Sequence, residues 1–234
     1  FVLNLLLRSN LSPAPEADKR TLIRRATQNL TGLPPTHEEV KAFLNDDCPN
    51  AYQKLIERLL ASPQYGVHWG RHWLDVARYA DSNGLDENLG FGNAWRYRDY
   101  VIDAFNEDKP FDRFIREQLA GDLLPAANDA EAARNLVATG FLALGPKSLN
   151  ERDRAQFVAD VADEQIDTTT RAFMGLTVSC ARCHDHKFDP IPTKDYYAIY
   201  GIFHSSQTHF GTNGTGNRQK SNLLSLGNEE DGLV

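Results

Sequence analysis

Helix-breaking residues divide the sequence into short segments, and this division limits the chain to a mainly α-helical fold. Glycine and proline breakers recur along the chain, at 32–35, 62–63, 81–84, 109–110, 123–125 and 145–146. Between them, apolar residues recur at spacings of three and four, which is typical of amphipathic helices. Helices are therefore predicted roughly over residues 1–8, 17–29, 36–45, 50–61, 66–80, 93–107, 111–119, 129–144, 156–175 and 193–204.

Local signals refine this prediction. THEE, at 36–39, is a capping-box sequence, and Asn50 is a candidate cap for the next helix. The best strand candidate is the short, β-branched LTVSC at 176–180. We expect an irregular, mainly α-helical domain with long loops over 1–206. The Gly-, Asn- and Ser-rich stretch 207–234 is expected to be a linker or disordered tail.

Charge and length exclude some classes of function. The 234 residues carry a net charge of −7, so no basic groove for nucleic acid is expected. No apolar run approaches membrane-spanning length, and three cysteines do not form a disulfide framework. The sequence begins at Phe1 within an apolar helical pattern, and we expect it to be a piece of a longer chain.

The stretch SCARCHDHKFDPIP, residues 179–192, contains the spacing C-x-x-C-H. This spacing is the attachment signature of c-type haem. If the stretch forms one helical turn, Cys180, Cys183 and His184 share a face. Two thiols can then bond to the two vinyl groups of one porphyrin, and the imidazole becomes the proximal iron ligand. Haem c is therefore the predicted cofactor, attached through Cys180 and Cys183.

The same residues allow other interpretations. Cys180 and Cys183 are also half of a zinc site, which His68 and His72 would have to complete through the fold. A thioredoxin-like redox pair would need a βαβ context, which the sequence does not show. The remaining alternative is a structural or interaction domain with a tight turn and reduced cysteines.

Several blocks carry a family resemblance. They are RTLIRRATQNLTGLPPT, GRHWLDVARYADSNG, AWRYRDYVIDAFNEDKPFDRFIREQLAGDLLP, ATGFLALG and CARCHDHKFDPIPTKDYYAIYGIF. Over about residues 1–206 the chain resembles the planctomycete cytochrome c-like module first described as a domain of unknown function, DUF1549. The resemblance implies an exported, extracytoplasmic protein whose partners are other domains of its parent chain and a redox protein. It implies no assigned reaction, so electron transfer is favoured over enzymatic peroxide reduction.

The second iron ligand is left open by the sequence. His72 matches the block GRHWLD and lies one helical turn after His68, so both are distal candidates. Met174 is the only methionine, and Met/His ligation would raise the reduction potential. An open sixth position is the further alternative. His186 is interpreted as a hydrogen-bonding residue, because it lies too close to His184 to reach the opposite face of the iron.

Three further sets of polar residues allow either a structural or a functional interpretation. Arg78, Arg96 and Arg98 are expected mainly to pair with nearby aspartates, although arginine can also hold haem propionates. The oxygen donors of Asp81, Asn83 and Asp86 favour an Asx-rich turn over a calcium site. The carboxylates at 163 and 167 favour a solvated helix face over acid–base chemistry.

Overall fold

The computed structural model describes residues 1–85, 88–211 and 219–226. These residues are mainly α-helical, as predicted, and they contain no β-strand. The helices are α1 (Val2–Arg8), α2 (Lys19–Thr31), α3 (His37–Leu44), α4 (Ala51–Leu60), α5 (Pro63–Val76), α6 (Ala94–Asn106), α7 (Phe111–Ala120), α8 (Asp129–Ala138), α9 (Gly140–Ala143), α10 (Arg154–Met174) and α11 (Thr193–His204). Two 3₁₀ turns span Gly121–Leu123 and Ser179–Arg182.

The chain divides into two compact units, Phe1–His68 and Trp69–Val234. The module boundary expected near residue 206 stays a prediction. No helix in the described ranges is long and apolar enough to cross a lipid bilayer.

The first unit is built on α2, α3 and α4. Its buried core includes Ile23, Phe43, Leu55 and Leu59, which lie on the apolar faces of these helices. The predicted capping box begins α3: the Thr36 amide donates to Glu39 Oε2 at 2.8 Å, and the Glu39 amide donates to Thr36 Oγ1 at 3.2 Å.

The core of α6, α7 and α9 in the second unit is aromatic. The Trp73 ring lies 4.9 Å from the Phe114 ring and 6.1 Å from the Phe141 ring, and its indole N–H donates to Gln118 Oε1 at 2.9 Å. Gln118 is fully buried, so this bond satisfies polar groups that water does not reach.

A separate cluster joins α10, α11 and the 3₁₀ turn Ser179–Arg182. Ile166, Val178, Ala181 and Tyr196 form its buried part. Since Ala181 lies between the two cysteines of the C-x-x-C-H motif, this cluster sets the orientation of the motif.

Two local predictions were wrong, and a third was confirmed only in position. The helix expected over 129–144 is interrupted at Thr139, whose amide and hydroxyl both donate to the Leu136 carbonyl and so tighten the backbone into an i→i−3 bond. LTVSC forms no strand and instead leads into the second 3₁₀ turn. Asn50 stands at the N-cap of α4, but its side chain makes no capping hydrogen bond.

Candidate functional site

The C-x-x-C-H motif begins in a 3₁₀ turn rather than an α-helical one. The Cys183 amide donates to the Cys180 carbonyl at 3.4 Å. Residues three apart eclipse each other in a 3₁₀ turn, so the two cysteines share one side. Ala181 is fully buried on the other side, and both cysteines are exposed and unpaired. The fold therefore presents two free thiols together to solvent.

His184 follows directly and is also exposed. Its Nδ1 lies 2.8 Å from the carbonyl oxygen of Asp185. Because a carbonyl only accepts, Nδ1 is the nitrogen that carries the proton. In the neutral form of the ring, Nε2 then carries the free lone pair, and it accepts no hydrogen bond from a described residue. This tautomer leaves the Nε2 lone pair for a metal, in the way that hydrogen bonds commonly orient ligating histidines.

Acidic residues of α10 accept hydrogen bonds from the 3₁₀ turn Ser179–Arg182 and so anchor it. Arg182 donates to Asp163 Oδ2 at 3.0 Å and to Asp160 Oδ1 at 3.1 Å. Ser179 Oγ donates to Asp167 Oδ1 at 2.8 Å. The expectation that residues 163 and 167 form a solvated face was therefore wrong.

Two tyrosines of α11 complete this anchoring. The buried Tyr196 donates its hydroxyl hydrogen bond to Asp163, and Tyr197 donates to the Arg182 carbonyl at 3.1 Å. Burial, together with the bond to Asp163, raises the pKa of Tyr196, so its phenol stays protonated and remains a donor. These tyrosines were not predicted from the sequence, although the acids at i and i+4 before the motif and the arginine inside it indicated a polar contact to the turn.

The loop after the motif is ordered by its own polar groups. His186 Nδ1 accepts the Asp189 amide at 2.9 Å, and the His186 amide donates to the Ile191 carbonyl at 2.9 Å. Asp185 Oδ1 accepts the Thr193 amide at 2.8 Å, which ties the loop to the start of α11. His186 thus has a hydrogen-bonding role, with backbone amides as its partners.

The distal candidates lie in different places. His72 is exposed on α5, with its ring 5.4 Å from that of Trp69. Trp69 and Val76 on the same helix are exposed as well, so His72 does not lie in a buried core. His68 belongs to the first unit, where its ring packs against Gly32. Met174 ends α10 and is 60% exposed.

Within the described parts of the chain, no group of three or more His, Cys, Asp or Glu side chains is arranged to hold a metal ion. A zinc ion bound by Cys180 and Cys183 usually needs two further protein ligands. Those ligands would have to come from elsewhere, whereas covalent haem needs only the two thiols and His184.

Arg78, Arg96 and Arg98, which were expected to pair with nearby aspartates, differ in their ion pairing. Arg98 pairs with Asp99 at 2.8 Å, as expected. Arg78 instead pairs with Glu164, and burial lowers the pKa of Arg78 to about 10. Arg96 forms no ion pair with a described residue.

The loop considered for calcium uses its polar groups in hydrogen bonds. Asn83 is fully buried, accepts the Leu89 amide at 2.8 Å and donates to the Lys147 carbonyl at 3.0 Å. Asp81 Oδ1 accepts the Tyr79 hydroxyl at 2.6 Å. Asp86 lies outside the described residues.

Comparison with known proteins places the chain in a family. Residues 1–208 match the family model described as "PSCyt2: Protein of unknown function (DUF1549)". The chain belongs to this family. No curated protein and no solved structure matches the chain. Membership covers both compact units up to the end of α11, including the anchored C-x-x-C-H turn.

Proposed function

We propose that this chain is a c-type haem-binding electron-transfer module of an exported protein, with haem attached through Cys180 and Cys183 and His184 as the proximal ligand. One observation carries the proposal. Two exposed thiols share one side of a 3₁₀ turn, and the adjacent imidazole holds its proton on Nδ1 and leaves Nε2 free. This is the donor set that covalent haem requires.

Neighbouring residues of the chain position these two thiols and the imidazole. Ala181 is buried against the Ile166 cluster, which keeps the thiols on the solvent side. The salt bridges of Arg182 fix the turn to α10 and so reduce the motion of the cysteines. Haem bound there would supply one-electron chemistry, and within the second unit His72 and Met174 are the candidates for a further iron ligand.

The test is expression in a bacterial periplasm that contains the c-type maturation machinery. A gain in intact mass of one haem and a c-type pyridine haemochrome spectrum are expected. Cys180→Ala/Cys183→Ala should lose both signals, whereas the matched variant Cys48→Ala, which removes the exposed cysteine outside the motif, should retain them. Matured protein without covalent haem would refute the proposal.

Spectroscopy of the matured protein separates electron transfer from haem enzymology. A low-spin, six-coordinate spectrum supports electron transfer, and its loss in His72→Ala or Met174→Ala would identify the distal ligand. A five-coordinate spectrum would instead favour peroxide reduction, which needs an open position.

A second candidate, a structural or interaction domain without haem, rests on the hydrogen bonds that order the loop. The bonds from Asp185 to Thr193 and from His186 to Asp189 need no metal. If this alternative holds, alkylation of the three exposed thiols or addition of a chelator should leave thermal stability unchanged, and the matured protein should have no Soret band.

A further inference from the structure

A large cavity lies in the second unit, on the other side of α10 from the C-x-x-C-H turn. Its volume is about 780 Å³, within the range of pockets that hold small organic ligands. Gln165 lines the cavity, whereas Asp163 and Asp167 face the motif. Residues two apart on an α-helix point in nearly opposite directions. The cavity is thus separate from the proposed haem site.

Just over half of the wall is apolar, with contributions such as Phe91, Leu136, Leu142, Phe203 and Phe210. The lining residues come mainly from α6 to α11, from the 3₁₀ turn Gly121–Leu123, and from the segments 90–93, 206–211 and 223–226. Such a wall favours the apolar body of a ligand through the hydrophobic effect.

Gln165 provides a polar group with an unused acceptor. The residue is 3% exposed, and its side-chain amide nitrogen donates to the Leu142 carbonyl and to Thr208 Oγ1, both at 2.9 Å. Its carbonyl oxygen accepts no hydrogen bond from a described residue. Because Gln165 lines the cavity, this oxygen is available to a ligand there. An acceptor of this kind in a cavity wall favours a ligand with an N–H or O–H group.

Arg96 provides a positive charge without an acidic partner among the described residues. Its Nε lies 3.5 Å from Asn93 Oδ1, and its guanidinium lies 4.6 Å from the Trp95 ring. A guanidinium beside an apolar wall favours a carboxylate. Asp122 and Asp129 also line the cavity and are exposed, so a second negative charge on the ligand is disfavoured.

We propose that this cavity binds an amphipathic monocarboxylate that also carries an N–H or O–H group. The apolar wall takes its hydrocarbon body, Arg96 pairs with its carboxylate, and Gln165 accepts its hydrogen bond. This site is independent of haem attachment, and it is expected to bind equally in the haem-free Cys180→Ala/Cys183→Ala chain.

N-dodecanoylglycine is a suitable probe because it combines an alkyl chain, an amide N–H and one carboxylate. Calorimetric titration of the full chain below micelle-forming concentrations should give saturable binding with one site. Arg96→Gln should weaken binding about tenfold, the effect of losing a charge-assisted hydrogen bond. Arg98→Gln is the matched control two residues along α6; it does not line the cavity and should change affinity less than twofold.

N-dodecanoylsarcosine tests the contact to Gln165 because a methyl group replaces its amide hydrogen. It should bind about threefold more weakly than N-dodecanoylglycine to the wild-type chain. The difference should disappear in Gln165→Met, provided that circular dichroism shows a native helix content. The proposal would be overturned if both probes bound the wild type with equal affinity, or if Arg96→Gln and Arg98→Gln lowered the affinity for N-dodecanoylglycine equally.

Discussion

Arg182 donates a hydrogen bond to Asp163 at 3.0 Å, and this contact joins the centre of the C-x-x-C-H turn to α10. The same carboxylate accepts the hydroxyl of the buried Tyr196. Asp163 therefore links three segments that are distant in sequence, and the position of the cysteines depends on a residue outside the motif.

Asp163→Asn should loosen this anchoring. The variant loses the negative charge opposite Arg182, whose side chain is 32% exposed, so a loss of about 1–2 kcal/mol in unfolding free energy is expected. Urea unfolding followed by tryptophan fluorescence measures it, because Trp69, Trp73 and Trp95 all lie in the second unit.

Asp160→Asn is the control for this change. Asp160 also pairs with Arg182, but it is 52% exposed, and its loss should cost no more than about 0.5 kcal/mol. Equal effects of the two substitutions would show that Asp163 has no special role.

Glu117 is a fully buried carboxylate that pairs with Lys109, which is 9% exposed. Glu117→Leu should destabilise the second unit by about 3–5 kcal/mol, because it leaves the Lys109 charge buried without its partner. Lys109→Met/Glu117→Leu removes both charges and should recover more than half of that loss in the same urea measurement. A double variant less stable than Glu117→Leu would contradict this account.

Gly121 lies where the turn after α7 meets α8. A Cβ there would overlap the Asn135 carbonyl oxygen, which is backbone and cannot move aside cheaply. Gly121→Ala should therefore lower the melting temperature, with a cost of about 1–3 kcal/mol. Gly201→Ala on α11 is the matched control: a Cβ there meets nothing within 4 Å, and the alanine should stabilise the helix by about 0.5–1 kcal/mol. Destabilisation by both variants would argue against the close contact.

Lys147 is buried, and its Nζ donates to the Ala143 and Gly145 carbonyls at 2.6 and 2.8 Å. Burial, reinforced by the charge of Arg78, lowers the pKa of Lys147 from 10.5 to about 7. Between these values the unfolded chain binds the proton more tightly than the folded one. The contribution of Lys147 to stability therefore rises as pH increases from about 7 to about 10.5.

Urea unfolding near both ends of this pH window tests the effect of Lys147. The wild type should gain stability relative to Lys147→Met as pH rises, by an amount on the order of a few kcal/mol. Lys41→Met, at an exposed lysine, should show the same pH dependence as the wild type. If the stability of Lys147→Met has the same pH dependence as that of the wild type, the charge state of Lys147 does not control stability.

Much of the helical structure was predictable because it depends on neighbours in sequence. The bounds of α3, α6, α7 and α11 match the predicted segments within about two residues. The break at Thr139 was missed because it arises where Gly140 packs closely against Tyr97; a Cβ on Gly140 would lie 3.1 Å from the Tyr97 Cβ. The strand prediction for LTVSC was wrong because its β-branched composition favours a strand, whereas burial of Val178 beside Ala181 favours the 3₁₀ turn.

The candidate site also combines features that were predictable from the sequence with features that depend on tertiary packing. The sequence alone determined that Cys180 and Cys183 share one side of a turn, because residues three apart do so in both α-helical and 3₁₀ geometry. Only the tertiary structure decided that α10 carboxylates hold this turn, that Asp185 orients the His184 ring, and that Gln165 faces a separate cavity. These relationships depend on how segments far apart in sequence pack against each other, and helical periodicity carries no information about which faces meet.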